Sequence, residues 1–305
     1  MDRVLLKGAL AELFDEGAAR FDASMAELTT FRIGGPADVL VEPRTAGEAR
    51  VVLEACRRLG VAVRVMGLGS DVLVADEGLR CVVVRIAESL SQVEVDGERM
   101  HVEAGASNAD VARRACEEGL AGYEFACGIP GTVGGAAIMN AGAYGGEFKD
   151  VAESVRCLTP EGELVDVDAE RAEWSYRHSM MGAAGYVVLA ATLVLRRDDP
   201  AAIQARMDDL ARRRAEKQPL ELPSAGSTFK RPAGFFVGQL VQEAGLRGYR
   251  VGGAQVSEKH TGFVVNAGDA TAADVRRLIA DVQERVRASA GVDLEPEVRM
   301  WGFEE

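Results

Sequence analysis

The stretch Gly128-Ile129-Pro130-Gly131-Thr132-Val133-Gly134-Gly135-Ala136-Ala137-Ile138-Met139-Asn140-Ala141-Gly142-Ala143-Tyr144-Gly145-Gly146 holds seven glycines in nineteen residues and no charge. Glycine lets a backbone pass close to a ligand and reach positive φ. The Gly-x-x-Gly-x-x-Gly-Gly spacing lays out backbone N–H groups with few side chains in the way, and such groups can cradle a pyrophosphate. A glycine-rich structural turn fits the same letters. A dinucleotide-binding Gly-x-Gly-x-x-Gly turn does not. Its spacing differs, and no acidic residue closes a following strand about 20 positions on. If this loop holds a nucleotide, it does so in another fold.

A second turn points the same way. Val61 to Met66 is a buried-strand run that feeds into Gly67-Leu68-Gly69-Ser70-Asp71. A strand ending in Gly-x-Gly-Ser reads as a second phosphate-binding turn, with Ser70 as hydroxyl donor. Upstream, Thr45 to Leu59 reads as a helix with a Thr45/Glu48 capping-box pattern, ended by Gly60.

Composition narrows the class. The chain has 305 residues, 48% hydrophobic and 27% charged, as in an ordinary soluble globular protein. It has no apolar run of about 18 residues, so no transmembrane helix is expected. The N-terminal Met1 to Lys7 does not read as a signal peptide. A net charge of −13 argues against broad nucleic-acid binding. A local basic cluster can still receive an anionic substrate. The five cysteines are scattered and do not combine with the three histidines at metal-ligand spacing. The expectation is a cytoplasmic protein without a metal or a membrane partner.

Along the chain, residues 1–20 read as a peripheral helix. Leu28 to Ala37 is a short extended piece closed by Gly-Gly-Pro, followed by strand-like Asp38 to Glu42. Cys81 to Ile86 is an apolar β run. Val93 to Ala104 is a hairpin around Asp96-Gly97, and Ser107 or Asn108 caps a helix that ends before Gly119. Val155 to Val167 is a second hairpin and Tyr186 to Arg196 an apolar strand. Composition shifts near Arg197-Asp198-Asp199-Pro200. Helices are expected over Ile203 to Lys217, Phe235 to Ala244 and Thr271 to Ser289, with Gly262 to Asn266 as a strand. The expected domains are 1–197, with subdomains of about 20–88 and 89–197, and 198–305.

Taken together, these stretches resemble the UDP-N-acetylenolpyruvoylglucosamine reductase (MurB) family, from about residue 28 to residue 302. The resemblance rests on Thr30-Phe31-Arg32-Ile33-Gly34-Gly35, Gly67 to Asp71, the glycine-rich loop, Tyr176-Arg177-His178-Ser179, Ala225-Gly226-Ser227-Thr228-Phe229-Lys230, Gly252-Gly253-Ala254-Gln255-Val256-Ser257 and Leu294-Glu295-Pro296-Glu297-Val298-Arg299. The family often has Asn at the position of Asp71, which puts the side-chain role of Asp71 in question. The short chain between Gly182 and Gly185 leaves no room for the tyrosine-bearing loop of the longer class, so the chain looks like the shorter one.

The resemblance implies an α+β fold: a two-part FAD-binding region of the vanillyl-alcohol-oxidase/PCMH type, then a smaller α+β substrate-binding domain. It implies non-covalent FAD, reduced by NADPH, which then reduces the enolpyruvyl group of UDP-N-acetylglucosamine enolpyruvate to a lactyl ether. The implied FAD residues are Arg32, Ile33 and Gly34; Gly67, Gly69, Ser70 and Asp71; Gly128, Ile129, Pro130, Gly131, Thr132, Gly134 and Gly135; and Asn140, Ala141 and Gly142. Such an enzyme is expected to be a monomer or a weak oligomer.

Hydride transfer is the flavin's chemistry, while the protein supplies orientation, charge and protons. Hydride at the enolpyruvyl β-carbon leaves enolate character at the α-carbon. Cations or donors must meet that charge, and an acid must protonate the carbon. By the resemblance, Ser227 is the proton donor, Arg177 binds the substrate carboxylate, and Glu297 reaches the reacting carbons. Read without it, Ser227 is a turn serine, Arg177 a surface ion-pair partner and Glu297 a solvated charge. Lys217, Lys230 and Lys259 are the candidate basic cluster for the diphosphate, with His260 and Tyr176 beside the substrate. Trp174 and Trp301 read as core residues. Two other readings fit parts of the pattern: another FAD-dependent oxidoreductase on the same scaffold, and a non-catalytic nucleotide-sugar-binding module.

Overall fold

The computed structural model describes residues 19–303. Its chain forms two compact units from interleaved segments. The first takes residues 19–20, 39–68 and 81–214, and the second 21–38, 69–80 and 215–303. These units do not follow the composition shift near residue 198. The helix Pro200–Lys217 begins in the first unit because Ile203 is buried with Cys116 and Ala121, and Met207 packs on them. The expected N-terminal helix lies outside the described residues up to residue 18. Residues 19 and 20 open a strand, Ala19–Ser24.

The first unit is organised on a five-stranded antiparallel sheet. Its order is Leu164–Asp168, Ala152–Leu158, Val187–Val194, Arg99–Glu103, Val93–Asp96. Both expected hairpins are present as its two ends. Asp96 pairs with Arg99 across the Gly97 turn, and Leu158 pairs with Leu164 across the Gly162 turn. Alternation sets the buried face. Val102 lies opposite Ala191, and Ala191 opposite Val155, all buried. In the same unit the strand Val63–Met66 pairs in parallel with Leu79–Arg85, Val63 facing Val82. The Gly67 turn leaves from the end of Val63–Met66.

Helix ends follow the side chains. In Ala46–Arg58 the Thr45 hydroxyl accepts the Glu48 N–H at 3.0 Å, a cap worth about 1 kcal/mol. The expected reciprocal bond is displaced by one residue: the Glu48 carboxylate takes the Arg44 N–H at 2.8 Å. Gly60, at φ +64°, ends the helix. Ser107, not Asn108, caps Asn108–Glu117 by accepting the Asp110 N–H at 3.0 Å.

The second unit packs the helix Ala272–Ala290 on the antiparallel sheet Ser224–Ser227, Phe263–Asn266, Ala254–Val256, Arg250–Val251. Val275, Leu278, Ile279, Val282 and Val286 form the buried stripe of the helix, at helical spacing. They share one core with Phe31, Ile33, Leu73, Phe229 and Val264. Thr271 and Asp274 complete a capping box, and the Asp76 carboxylate accepts the N–H groups of Ala272 and Ala273 at 2.8 and 3.0 Å. The chain's end returns to the unit as Arg299–Trp301, parallel to Val72–Val74.

Candidate active site

The two glycine turns meet in the first unit. A Cβ built on Gly67 would stand 2.4 Å from the hydroxyl oxygen of buried Thr132, so only glycine fits there. Within the glycine-rich stretch, Thr132 caps a helix, Val133–Met139, by accepting the Gly135 N–H at 3.3 Å. This helix start is already occupied. Val133 N–H donates to Ala106 and Gly134 N–H to Ala104, at 2.9 and 2.8 Å. The donors that remain lie just before it: among the described residues, no protein acceptor takes the N–H of Gly67, Leu68, Gly131 or Thr132.

The loop entering the helix is held from behind by a pair absent from the expected site. Asn108, buried, donates from its backbone N–H and its Nδ2 to the Gly131 carbonyl, at 3.1 and 3.2 Å. The Tyr123 hydroxyl donates to Asn108 Oδ1 at 2.8 Å, and burial pushes that phenol above its usual pKa range, so it stays a donor. Ile129 N–H turns back to Ala126, and Pro130 is exposed. Gly135 is exposed, and a Cβ there would make only an ordinary contact with Thr132 Oγ1 at 3.7 Å. Beside the loop, Arg214 lies over Gly128, whose Cβ would stand 2.7 Å from Arg214 Nη1. Burial lowers the pKa of that guanidinium. An exposed, side-chain-free surface, unspent N–H donors and a nearby cation fit a bound FAD diphosphate.

The far end of Val133–Met139 is built differently. Asn140, at φ +43°, is buried, and its N–H returns to Ala136. Its Nδ2 donates to Glu147 Oε2 at 3.0 Å and to the Ser175 carbonyl at 3.1 Å, while its Oδ1 accepts the Lys149 N–H at 3.0 Å. Every side-chain and backbone donor of Asn140 is thus spent on protein groups. Ala141 N–H also returns to Ala136, and Gly142 pairs with Glu147 in a short hairpin.

Ser175-Tyr176-Arg177-His178 forms a tight turn, with the N–H of Ser175 and of His178 each donating to the other's carbonyl. Arg177 takes left-handed φ, +54°, and its guanidinium lies 5.0 Å from the centroid of the exposed Tyr176 ring. Glu147 is held below the usual carboxylate range, first by the Lys149 hydrogen bond and in part by Arg177, so Arg177 lies within electrostatic reach of it.

In the second unit, Arg32 is exposed at φ +54°, Ile33 sits in the core, and Gly34 packs so tightly that a Cβ would stand 2.7 Å from Val74 Cβ. Thr30, outside the expected site, organises this region. Its N–H donates to the Gly69 carbonyl at 3.1 Å and its hydroxyl to the Ser224 carbonyl at 2.7 Å. Ser70 follows Gly69 and is half-buried. The Asp71 carboxylate faces Arg299 at 4.0 Å, and its carbonyl accepts the Arg299 N–H.

Ser227 ends the strand Ser224–Ser227, whose register slips between Ser224 and Ser227, with Gly226 at φ +75°. The bulge turns Ser227 outward and leaves it exposed. The next residues pair with the C-terminal segment: Glu297 N–H donates to the Thr228 carbonyl at 2.9 Å and Lys230 N–H to Glu295 at 2.8 Å. Two residues 70 positions apart, Ser227 and Glu297, are therefore set on neighbouring segments of one unit. Arg177 belongs to the other.

The basic cluster is unevenly available. Lys230 is paired with Glu295 at 2.5 Å, and Lys259 stands 3.7 Å from Glu221. Lys217 is exposed at the end of its helix. His260 is half-buried, stacked edge-on to Phe263 at 4.9 Å, and its Nδ1 accepts the Gly262 N–H. Burial lowers its pKa, so the ring is neutral near pH 7. Trp301 is buried, but Trp174 has a definite partner: its Nε1 donates to the Ala137 carbonyl at 2.7 Å. Among the described residues, no helix is long and apolar enough to cross a membrane.

Comparison with known proteins agrees with this geometry. Residues 37–168 match the FAD binding domain, which makes the chain an FAD-dependent oxidoreductase by class. Alkyldihydroxyacetonephosphate synthase shares the fold at a TM-score of 0.50 and 18% identity, over 63% of this chain and 40% of that one. Residues 218–301 match the C-terminal domain of UDP-N-acetylenolpyruvoylglucosamine reductase. The reductase of that name from Clostridium beijerinckii is 46% identical over 97% of each chain. The crystal structure of the Thermus caldophilus reductase (MurB) aligns with a TM-score of 0.79 at 34% identity, covering 93% of this chain and 98% of that one. The chain belongs to the UDP-N-acetylenolpyruvoylglucosamine reductase family, as its motifs imply.

Proposed function

We propose that this protein reduces UDP-N-acetylglucosamine enolpyruvate to UDP-N-acetylmuramate with NADPH, in the synthesis of peptidoglycan precursors, as a cytoplasmic monomer or weak oligomer. When bound, FAD would supply the hydride-transfer chemistry between NADPH and the enolpyruvyl group. The chain's own residues do the rest. Gly67, Leu68, Gly131 and Thr132 offer N–H groups to the diphosphate. Arg177 meets the substrate carboxylate, where its planar fork stabilises charge arriving from the α-carbon. Ser227 gives its hydroxyl proton to that carbon, and the released negative charge passes from the enolate to the serine oxygen. Glu297, on the adjoining segment, completes the hydrogen-bond set around the reacting carbons. Lys217 and Lys259 face the diphosphate, with Tyr176 and His260 beside the sugar nucleotide, and Lys230 braces the Ser227 strand through Glu295.

The observation that carries this reading is the Gly226 bulge, which exposes Ser227 on a strand tied by Thr228 to Glu297. An alcohol oxidase on the same scaffold has no need of an exposed proton donor on a segment joined to a carboxylate-bearing one. The test is spectroscopic. Anaerobic NADPH should bleach the flavin band of the purified protein, and UDP-N-acetylglucosamine enolpyruvate should restore it with UDP-N-acetylmuramate as product. Flavin that bleaches but is restored only by oxygen would refute the assignment.

A further inference from the structure

The Val133–Met139 helix joins two parts of the first unit: the glycine turns at its start and the Tyr176-Arg177 turn at its end. The last carbonyls of a helix lack partners within it. Here the 174–179 segment supplies them. Trp174 Nε1 donates to Ala137 O and Ser179 Oγ to Ile138 O, both at 2.7 Å. Asn140 closes the junction from the helix side, donating to the Ser175 carbonyl at 3.1 Å. That carbonyl also accepts the His178 N–H at 3.2 Å, so one oxygen carries both the turn's own bond and its anchor. Between Ser175 and His178 sits Arg177, in a left-handed conformation unfavourable to a residue with a Cβ. Such a backbone persists where the surroundings over-determine it, and Asn140 is the buried polar group that does so here.

We propose that Asn140 is a positioning residue for Arg177: its amide anchors the Ser175–His178 turn to the end of the glycine-loop helix and so fixes the guanidinium in register with the cofactor loop. This rests on the reading of Arg177 as the carboxylate-binding group. Glu147 belongs to the same junction, since it accepts the second Asn140 Nδ2 proton and is influenced by Arg177.

The test uses the flavin-loaded full chain with three variants. Asn140→Asp keeps the shape and the acceptor for Lys149 N–H but replaces the donor to Ser175 by an oxygen. Asn140→Gly removes the amide while tolerating positive φ. Arg177→Ala is the control. Flavin content, the FAD dissociation constant and NADPH-driven flavin reduction should stay within about 3-fold in both Asn140 variants. Reoxidation by the enolpyruvyl substrate should slow about 10- to 100-fold, with a raised substrate KM, as for a misplaced positioning group. Asn140→Asp combined with Arg177→Ala should be no slower than Arg177→Ala alone, because the two residues act through one contact. Loss of flavin from folded Asn140→Gly would overturn the proposal in favour of a cofactor-binding role. Normal reoxidation in the Asn140 variants beside a slow Arg177→Ala would overturn it outright. Normal reoxidation in Arg177→Ala would instead remove the reading of Arg177 itself.

Discussion

Gly67 and Thr132 are in such close approach that a methyl group on Gly67 would stand 2.4 Å from the threonine hydroxyl and 2.8 Å from its methyl. The contact joins a turn after a parallel strand to the cap of the glycine-loop helix. Overpacking of this kind costs about 1–3 kcal/mol, relieved by moving the turns apart. Gly67→Ala should therefore lower the flavin-to-protein ratio of folded enzyme, and adding Thr132→Ala should recover part of it. Gly135→Ala gives the complement. Its Cβ would meet only Thr132 Oγ1, at an ordinary 3.7 Å, so the fold and thermal midpoint should hold while FAD affinity falls if the cofactor lies against that surface. Flavin titration of each variant reads the result. Full occupancy in Gly67→Ala would show that the paired turns are not the diphosphate site.

Ser227→Ala separates the two half-reactions. Flavin reduction by NADPH needs no proton at the substrate carbon, so it should proceed at a near-normal rate. Reoxidation by the enolpyruvyl substrate should fall about 10²–10⁴-fold, the usual worth of a positioned general acid. Ser227→Cys should restore part of the loss, since a thiol also donates. Rapid anaerobic mixing followed by flavin absorbance measures both halves. A second half-reaction within a few-fold of wild type would leave Ser227 as a turn residue.

The lysines should differ in effect. Lys230 already neutralises Glu295, whereas Lys217 is exposed at a helix end. Lys217→Ala should raise the KM for the sugar nucleotide several-fold more than Lys230→Ala. The surface pair itself should contribute about 1 kcal/mol or less, so denaturant midpoints should barely move in Lys230→Ala. Equal KM changes would show that both charges face the diphosphate.

His260 makes stability depend on pH. Burial depresses its folded pKa below the unfolded value of about 6.5. The unfolded chain then takes up the proton first. The stabilisation is complete above the unfolded pKa and is lost as pH falls toward the folded one. The difference in urea midpoint between wild type and His260→Gln should shrink from pH 7.5 to pH 5.5. A midpoint difference independent of pH would mean that the ring titrates normally.

Much of this protein was legible in its letters because the signals were local. The hairpin turns at Gly97 and Gly162, the caps at Thr45, Ser107 and Thr271, and the buried stripe of the last helix each depend on neighbours a few residues away. The family motifs were legible for a related reason: close backbone approach demands glycine wherever it occurs, as at Gly67. Expectation and structure part where one amide has two possible partners. The glycine-rich loop showed many N–H groups, but only folding decided that Val133 and Gly134 spend theirs on Ala106 and Ala104. Likewise, only folding decided that the Asn140 amide donates to Ser175 and Glu147.

The sequence by itself determined the periodicities, the turns, the glycine surface and the family, all of which are properties of single residues or short windows. Only the tertiary structure decided that residues 21–38 and 69–80 join the C-terminal part, that Thr30 braces Ser224, and that Glu297 pairs beside Ser227. The Thr30–Ser224 contact alone spans 194 residues. Local propensity carries no information about such contacts. They form because buried backbone groups must find partners, and the shared core of Phe31, Leu73, Phe229 and Val298 brings the segments close enough to pair.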